Sequence, residues 1–478
     1  MNRTPYISLF CMLLTGFSLS AQHDTTVLAP HTVTGRNVYD ISGYHTTTVD
    51  SLHMHYAVGE TLGELLQTVT PSAVRDYGTG QLSTVGIRGG AAEHTQITWN
   101  GFRINQAMNG QTDLSLLSAG LFNAIHLETG AGSLIHGSGA FGGLLALSSR
   151  IDTSQLPYYS GSYERGSFSK EVSRILLFNT AKRFFLKTTL FQDKALNDYE
   201  YYSRLLATPS CEKRANAYYA TGGVMQQAVY QTGKRSAIEV LLWHQETDKG
   251  IPRPVHLPQD DGQSQSDKMM KLFVNGNHYS NKNRFAWRAG YQNNRMRFLD
   301  ERYRIDAKHN AQNIQTALSL DGQKGALDFR LGIDYEYQFV RSSEYQGEKE
   351  RHVLSLYATG NIKLHERFYM FAVARNEISE AYGCHFLPSI GAGFFIDKHK
   401  QHILRLSGIK NHKVPTLNDI YWEPGGNSAL IPENGLSGEL DYKGTVLLKK
   451  RTKATMQTAA YYQDISQRIT WMPDGTGI

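Results

Sequence analysis

Asn105, Gln106, Met108, Asn109 and Gln111 crowd amides and one thioether into the stretch NQAMNGQ. Amides donate and accept hydrogen bonds, and a thioether offers a polarisable apolar contact. That mixture suits a large neutral ligand, and it is equally the composition of a structural turn. It points to binding and not to bond-making. Catalytic groupings are missing elsewhere: the chain has no Gly-x-Ser-x-Gly elbow and no His-Glu-x-x-His pair, so neither a serine nucleophile nor a zinc hydrolase is indicated. His399 and His402 border the run Asp397-Lys398-His399-Lys400, which reads as a solvated turn and not as a metal pair. Asp260-Asp261-Gly262 reads as an acidic turn, with calcium in an outer loop as the alternative. The expectation is a protein that is not an enzyme and carries no metal and no cofactor.

Bulk properties narrow the class. Net charge is +6 with no long Lys/Arg run, which argues against nucleic acid as a partner. Arg3, an apolar run from Ile7 to Phe17 and the small residues Ser18-Leu19-Ser20-Ala21 read as a secretory signal peptide over residues 1–21. Cys11 lies inside that run, after the bulky Phe10, and does not make a lipoprotein site. The remaining cysteines are Cys211 and Cys384, too few for a disulfide scaffold, although one bridge is open to them.

The elements that must position the amide stretch come in two textures. Glu60–Val69 (ETLGELLQTV) sets Leu62, Leu65, Leu66 and Val69 at helical spacing before Pro71, so a helix is expected there. Short strands follow at Thr84–Ile87, Gln96–Trp99, Ala124–Leu127 and Leu144–Leu147, among many glycines. From about Tyr158 onward the period is two. In ALDFRLGIDYEYQFV, residues Leu327, Phe329, Leu331, Ile333, Tyr335, Tyr337 and Phe339 share one side; Asp328, Arg330, Asp334, Glu336 and Gln338 share the other. Phe285–Tyr291 and Met456–Tyr462 alternate in the same way. A charged face repeated on many long strands is not a packed core, and a greasy, Tyr-rich face repeated as often cannot all be hidden in a sandwich. A transmembrane antiparallel β-barrel satisfies both: apolar residues meet lipid, polar residues line the lumen, and closure pairs the backbone. No blade repeat of a propeller is present.

Ordered glycine motifs then resemble a family. Thr61-Leu62-Gly63-Glu64-Leu65-Leu66, Arg75-Asp76-Tyr77-Gly78, Val85-Gly86-Ile87-Arg88-Gly89, Trp99-Asn100-Gly101-Phe102-Arg103-Ile104-Asn105 and Gly130 through Gly143 (GAGSLIHGSGAFGG) resemble, in the right order, the plug domain of TonB-dependent outer-membrane receptors. Asn100, Ser72 and His136 depart from the family's usual Asp, Gly and Tyr. Lys413-Val414-Pro415-Thr416-Leu417-Asn418-Asp419-Ile420-Tyr421-Trp422 resembles a stretch of its barrels. The segment Thr95–Ser115 is most similar to the cobalamin-transporter group of Bacteroidetes-type bacteria.

The resemblance implies an all-β outer-membrane protein of a Gram-negative bacterium, with an N-terminal α+β plug inside the barrel. It divides the chain into a signal peptide (1–21), a periplasmic segment with the TonB box (22–49), the plug (50–151) and the barrel (152–478). About 16 strands are expected where the intact family has about 22; with the turn-like ending Pro473–Ile478, this makes the barrel incomplete at its C-terminus. It implies active uptake powered by TonB of the inner-membrane TonB–ExbB–ExbD complex. TonB would pair with Thr32, Val33, Thr34 and Gly35, which follow His31, while Thr25–Leu28 competes; β-branched residues favour an added strand. Asn105, Gln106, Met108, Asn109 and Gln111 become ligand contacts on the outward plug loop. Asn197-Asp198-Tyr199 and Gly250-Ile251-Pro252-Arg253 are candidate barrel-loop contacts. Arg88, Gly89, Asn100, Gly101, Gly137, Gly142 and Gly143 are expected to hold the plug's shape. The implied ligand is a corrinoid, with a ferric siderophore as the alternative, and a surface lipoprotein is a candidate partner beside the membrane lipid. A passive pore or adhesin would need neither plug nor TonB segment.

Overall fold

The computed structural model describes residues 45–49, 51–203, 210–257, 262–449 and 452–472. The expected signal peptide, both candidate TonB segments, Asp260, Asp261 and residues 473–478 lie outside them.

The N-terminal part is small and mixed. It contains β1 (His45–Thr48), α1 (Ser51–Tyr56), α2 (Leu62–Val69), the hairpin β2 (Ala73–Asp76) and β3 (Ser83–Gly86), then β4 (Thr95–Trp99), β5 (Phe102–Arg103), β6 (Ala124–Thr129) and β7 (Gly143–Ser148). The expected helix forms as α2, and its start is written in the sequence. Thr61 Oγ1 accepts from the Glu64 amide (3.3 Å), and Glu64 Oε2 accepts from the Thr61 amide (2.8 Å), a reciprocal cap that satisfies two otherwise orphaned donors. Leu62, Leu65 and Leu66 are buried on its inner face. The main sheet has the order β1-β6-β7-β4-β5; β4 and β7 run parallel and the other pairs antiparallel.

The second part is one sheet. Among the described residues fifteen strands, from Tyr158–Arg165 to Thr452–Ser466, pair with their sequence neighbours, every pair antiparallel. A short hairpin, Glu200–Ser203 with Ser210–Lys213, interrupts the series and was not anticipated. The Leu327–Ser342 strand behaves as its alternation requires. Leu318, Ile333 and Leu356 face one another across three adjacent strands and are all exposed, an apolar row of the kind lipid covers. On the other face Arg330 bonds Asp321, Asp334 meets Arg375 at 3.0 Å, and Glu336 accepts from Asn313 at 2.6 Å. No helix among the described residues is long and apolar enough to cross a membrane.

The two ends of the sheet differ. Residues 182–183, 234–235, 281–282, 325–326 and 366–367 make tight two-residue turns at one end, where 396–401 is a longer connection. At the other end the longest connections, 196–218, 251–262 and 414–432, lie among shorter ones such as 301–304, 343–348 and 380–382. In barrels of this kind the short turns face the periplasm and the long loops face outward.

Trp99, Phe102, Leu114, Leu117 and Phe122 of the small domain pack against Phe191, Met225, Leu241, Trp243 and Phe273 of the sheet in one buried cluster. Phe102 stacks on Phe273 at 4.0 Å, and Trp99 meets Trp243 edge-on at 5.2 Å, geometries that add to simple burial. The N-terminal domain thus sits against the polar-lined inner face of the sheet. Cys211 and Cys384 are both free and exposed, so the bridge left open to them does not form.

Candidate functional site

The amide stretch forms the turn after β5, and its residues do different jobs. Asn105 is committed to backbone: its Oδ1 accepts from Ile97 N (2.8 Å), and its Nδ2 donates to the carbonyls of Thr95 (3.0 Å) and Gly110 (2.9 Å). Met108 is buried with Ala107 against Ala311, Val340, Tyr345 and Leu417. Asn109 Oδ1 accepts from Gln111 N (3.0 Å), and Gln111 Nε2 reaches Glu93 at 3.4 Å. Gln106 borders two cavities, one of which is the chamber described below.

What covers this turn is the 414–432 connection. Its short helix α3 (Leu417–Tyr421) is capped by Thr416, whose Oγ1 accepts from Asp419 N while Asp419 Oδ2 accepts from Thr416 N. Asn418 N donates to Met108 O at 2.8 Å, and Tyr345 Oη donates to Asn418 Oδ1 at 2.5 Å. The Thr-x-x-Asp spacing of this cap was readable in the sequence; its seat on Met108 was not.

Beneath the turn lies a polar chamber of about 160 Å³ between the small domain and the sheet. Arg103 meets Glu336 at 3.4 Å, Arg288 meets Asp334 at 3.6 Å, and Arg375 reaches Asp334 (3.0 Å) and Glu377 (3.7 Å). Ser138 donates to Glu377 at 2.5 Å. Gln315 clasps the Arg103 backbone from both sides, accepting from its N (3.1 Å) and donating to its O (2.8 Å). His136, the departure from Tyr, lines the same chamber. Burial, then the charges of Arg288, Arg330, Arg375 and Arg103, hold its imidazole down at about 3, so it is neutral.

The residues expected to shape the plug are placed as follows. Arg88, in a left-handed turn with Gly89, donates through Nη1 to Glu439 Oε2 (2.7 Å) and through Nη2 to Oε1, with the Tyr461 ring 5.0 Å away. Asn100 also has positive φ; its Oδ1 accepts from Ser149 N at 3.0 Å, and Gly101 completes its turn. Gly137 ends the short helical stretch Ala131–His136. Gly142 and Gly143 have a steric reason to be glycine. A Cβ at Gly142 would lie 2.5 Å from Ile87 O; one at Gly143 would lie 2.5 Å from Glu128 O, at a φ of +150°.

Of the barrel-loop candidates, Asn197 Nδ2 bonds Thr79 O and Ala217 O (2.9 Å each), tying the outer loop to the small domain. Gly250 O accepts from Gln81 at 3.0 Å. His94, Glu433 and Glu439 were missed. Their contacts join residues hundreds of positions apart, for which one sequence carries no local signal.

The family model for the TonB dependent receptor-like β-barrel matches residues 230–478. The chain belongs to that family. The TonB-dependent receptor plug domain matches residues 42–144, so the small domain is the plug and the fifteen-stranded sheet is barrel wall. The protein is an outer-membrane β-barrel of a Gram-negative bacterium. It is 22% identical over 441 residues to the vitamin B12 transporter BtuB of Vibrio vulnificus and 21% identical to that of Photobacterium profundum. In both comparisons 87% of this chain is aligned, and the chain spans 66% of the transporter's length. Among solved structures, the ferric enterobactin receptor PfeA of Pseudomonas aeruginosa shares the fold with a TM-score of 0.70 at 13% identity, over 88% of this chain and 71% of that one. The Serratia marcescens hemophore receptor HasR gives 0.73 at 10% identity, over 90% and 74%.

Proposed function

We propose that this receptor carries out TonB-dependent active transport of cobalamin or another corrinoid across the outer membrane. The observation that carries the reading is the alignment of most of the chain with vitamin B12 transporters. The site chemistry agrees with it. Gln106, Asn109 and Gln111 offer amides at the plug apex. In the chamber below, Arg103, Arg288 and Arg375 each stand beside a carboxylate. A ligand rich in neutral amides can exchange hydrogen bonds with such pairs, whereas an anionic chelate calls for arginines without carboxylate partners. Ferric siderophore uptake is the second reading; the fold shared with siderophore receptors favours it.

Energy coupling is assigned to Thr32–Gly35, with TonB adding a strand there. The test is uptake of labelled cyanocobalamin by cells expressing the receptor, beside a Val33→Pro variant that cannot complete the strand pairing. Uptake that Val33→Pro abolishes supports both ligand and segment. Uptake that persists moves the segment to Thr25–Leu28 or removes active transport; deletion of residues 31–35 then separates the two, because a passive pore survives it. Absence of uptake in both sinks the corrinoid reading in favour of a ferric chelate.

A further inference from the structure

The plug is held in two different ways on its two sides. Toward the strands Phe184–Ala195 through Gln263–Ser280 the contact is centred on an aromatic seam, in which Trp99, Phe102 and Phe122 interlock with Trp243 and Phe273, flanked by the Gln245–Leu116 and Lys249–Asp113 contacts. Toward the strands Ile305–Lys324 through His402–Lys413 it is the polar chamber, bridged by Arg103–Glu336, Ser138–Glu377 and the Gln315 clasp. The apolar contacts on that side are two small groups without stacked aromatics: Leu134 against Val373, Leu387 and Ile409, and Ala107 with Met108 against Ala311 and Val340.

These two interfaces respond differently to a pull. The hydrogen bonds and the partly exposed Arg103–Glu336 pair that bridge this chamber exchange for water at little net cost. Opening the aromatic seam exposes large apolar surface with no compensating partner. The chamber also lies directly under Gln106 and Gly110 at the plug apex, where a ligand arriving from outside would stand.

We propose that the polar chamber is the transit route: when the plug is pulled it stays seated on the Trp99–Trp243–Phe273 seam and parts from the Gln315–Glu377 wall, and the ligand passes along that wall. This rests on the transport reading above and adds the side of the plug that opens.

The test locks each side separately in the receptor in cells, with Cys211 and Cys384 first replaced by serine. A thiol cross-link between Ser138→Cys and Glu377→Cys closes the chamber side. One between Leu116→Cys and Gln245→Cys, where Gln245 Nε2 donates to the Leu116 carbonyl at 2.7 Å, closes the seam side. The chamber lock is expected to cut labelled cyanocobalamin uptake at least tenfold while surface binding remains; the seam lock leaves uptake within twofold. Uptake that survives the chamber lock, or that is lost equally with the seam lock, overturns the proposal.

If the uncrosslinked receptor takes up no cyanocobalamin, the corrinoid reading fails, and the route is read without a ligand. A membrane-impermeant maleimide then reports single cysteines at Gln315→Cys and Gln245→Cys. Labelling that rises only at position 315 when TonB is energised supports the route; an equal rise at both positions, or none at 315, overturns it.

Discussion

His94 Nε2 of the plug lies 2.6 Å from Glu433 Oε2 of the barrel, and both side chains are fully buried. His94 Nδ1 accepts the Ala91 amide at 3.2 Å, which leaves Nε2 as the donor to the carboxylate. Glu433 also accepts from Ile469 N (2.7 Å) and has Lys413 Nζ at 3.9 Å. A carboxylate so enclosed needs each of these partners. Replacing His94 with alanine removes one and is expected to lower stability by about 3 kcal/mol. Thermal unfolding of the detergent-solubilised receptor measures it; a melting temperature equal to that of the parent would show that the contact is idle.

Arg88 holds Glu439 with two nitrogens, a geometry that lysine cannot reproduce. Arg88→Lys should therefore behave much like Arg88→Ala in plug protection, at a cost of about 1–3 kcal/mol. Hydrogen exchange across Ile87–Gly90 is the readout. Parental protection in the lysine variant would reduce the contact to simple charge attraction.

Gly142→Ala forces a methyl onto Ile87 O, a backbone atom with no room to move aside. The expected consequence is a displaced loop 86–90 and a plug that a protease cuts at concentrations the parent resists. Gly161→Ala is the control, since nothing lies within 4 Å of its Cβ. Equal proteolysis of the two variants would refute the steric argument.

Two plug groups, Glu128 and His136, pull stability in opposite directions with pH. Burial pushes the Glu128 carboxyl up to about 7 from 4.5, so the folded chain holds a proton that the unfolded chain has shed. Its contribution is complete below about 4.5 and is lost as pH rises through about 7. His136, held down at about 3 from 6.5, does the reverse: its contribution is complete above 6.5 and falls away as pH drops toward 3. Glu128→Gln should leave a profile that only rises with pH over this range, and His136→Gln one in which the acid-side fall is reduced. Chemical denaturation from pH 4 to pH 8 distinguishes them; superimposable profiles would mean that neither proton matters.

Within the apex turn, Asn105→Ala breaks three hydrogen bonds to backbone and is expected to cost about 2 kcal/mol of stability. Gln106→Ala breaks none of these and should weaken cyanocobalamin binding severalfold at unchanged melting temperature. A variant pair that lost stability and binding together would contradict this division of labour.

Much of this architecture was legible because it is written locally. The alternation from Leu327 to Phe339 states which side meets lipid, and Thr61 with Glu64 announces a helix start. Gly142 and Gly143 mark backbone crowding before any neighbour is known. The functional assignment of NQAMNGQ was coarser than the structure. Residue types alone cannot say that Asn105 is spent on Thr95 and Gly110, or that Met108 is roofed by Leu417. Nor can they say that His94 meets Glu433, since those contacts depend on where the plug docks, and docking is decided by the aromatic seam as a whole.

The unequal ends of the barrel wall carry a consequence for how this molecule can diverge. Two-residue turns such as 281–282 and 325–326 fix strand register, so an insertion there shifts every side chain beyond it to the wrong face. Connections such as 343–348 and 251–262 impose no such constraint. Length changes, epitope drift and grafted tags should therefore accumulate on the side that faces the environment, where antibodies and phage would meet them, while the two-residue turns of the periplasmic rim stay fixed in length.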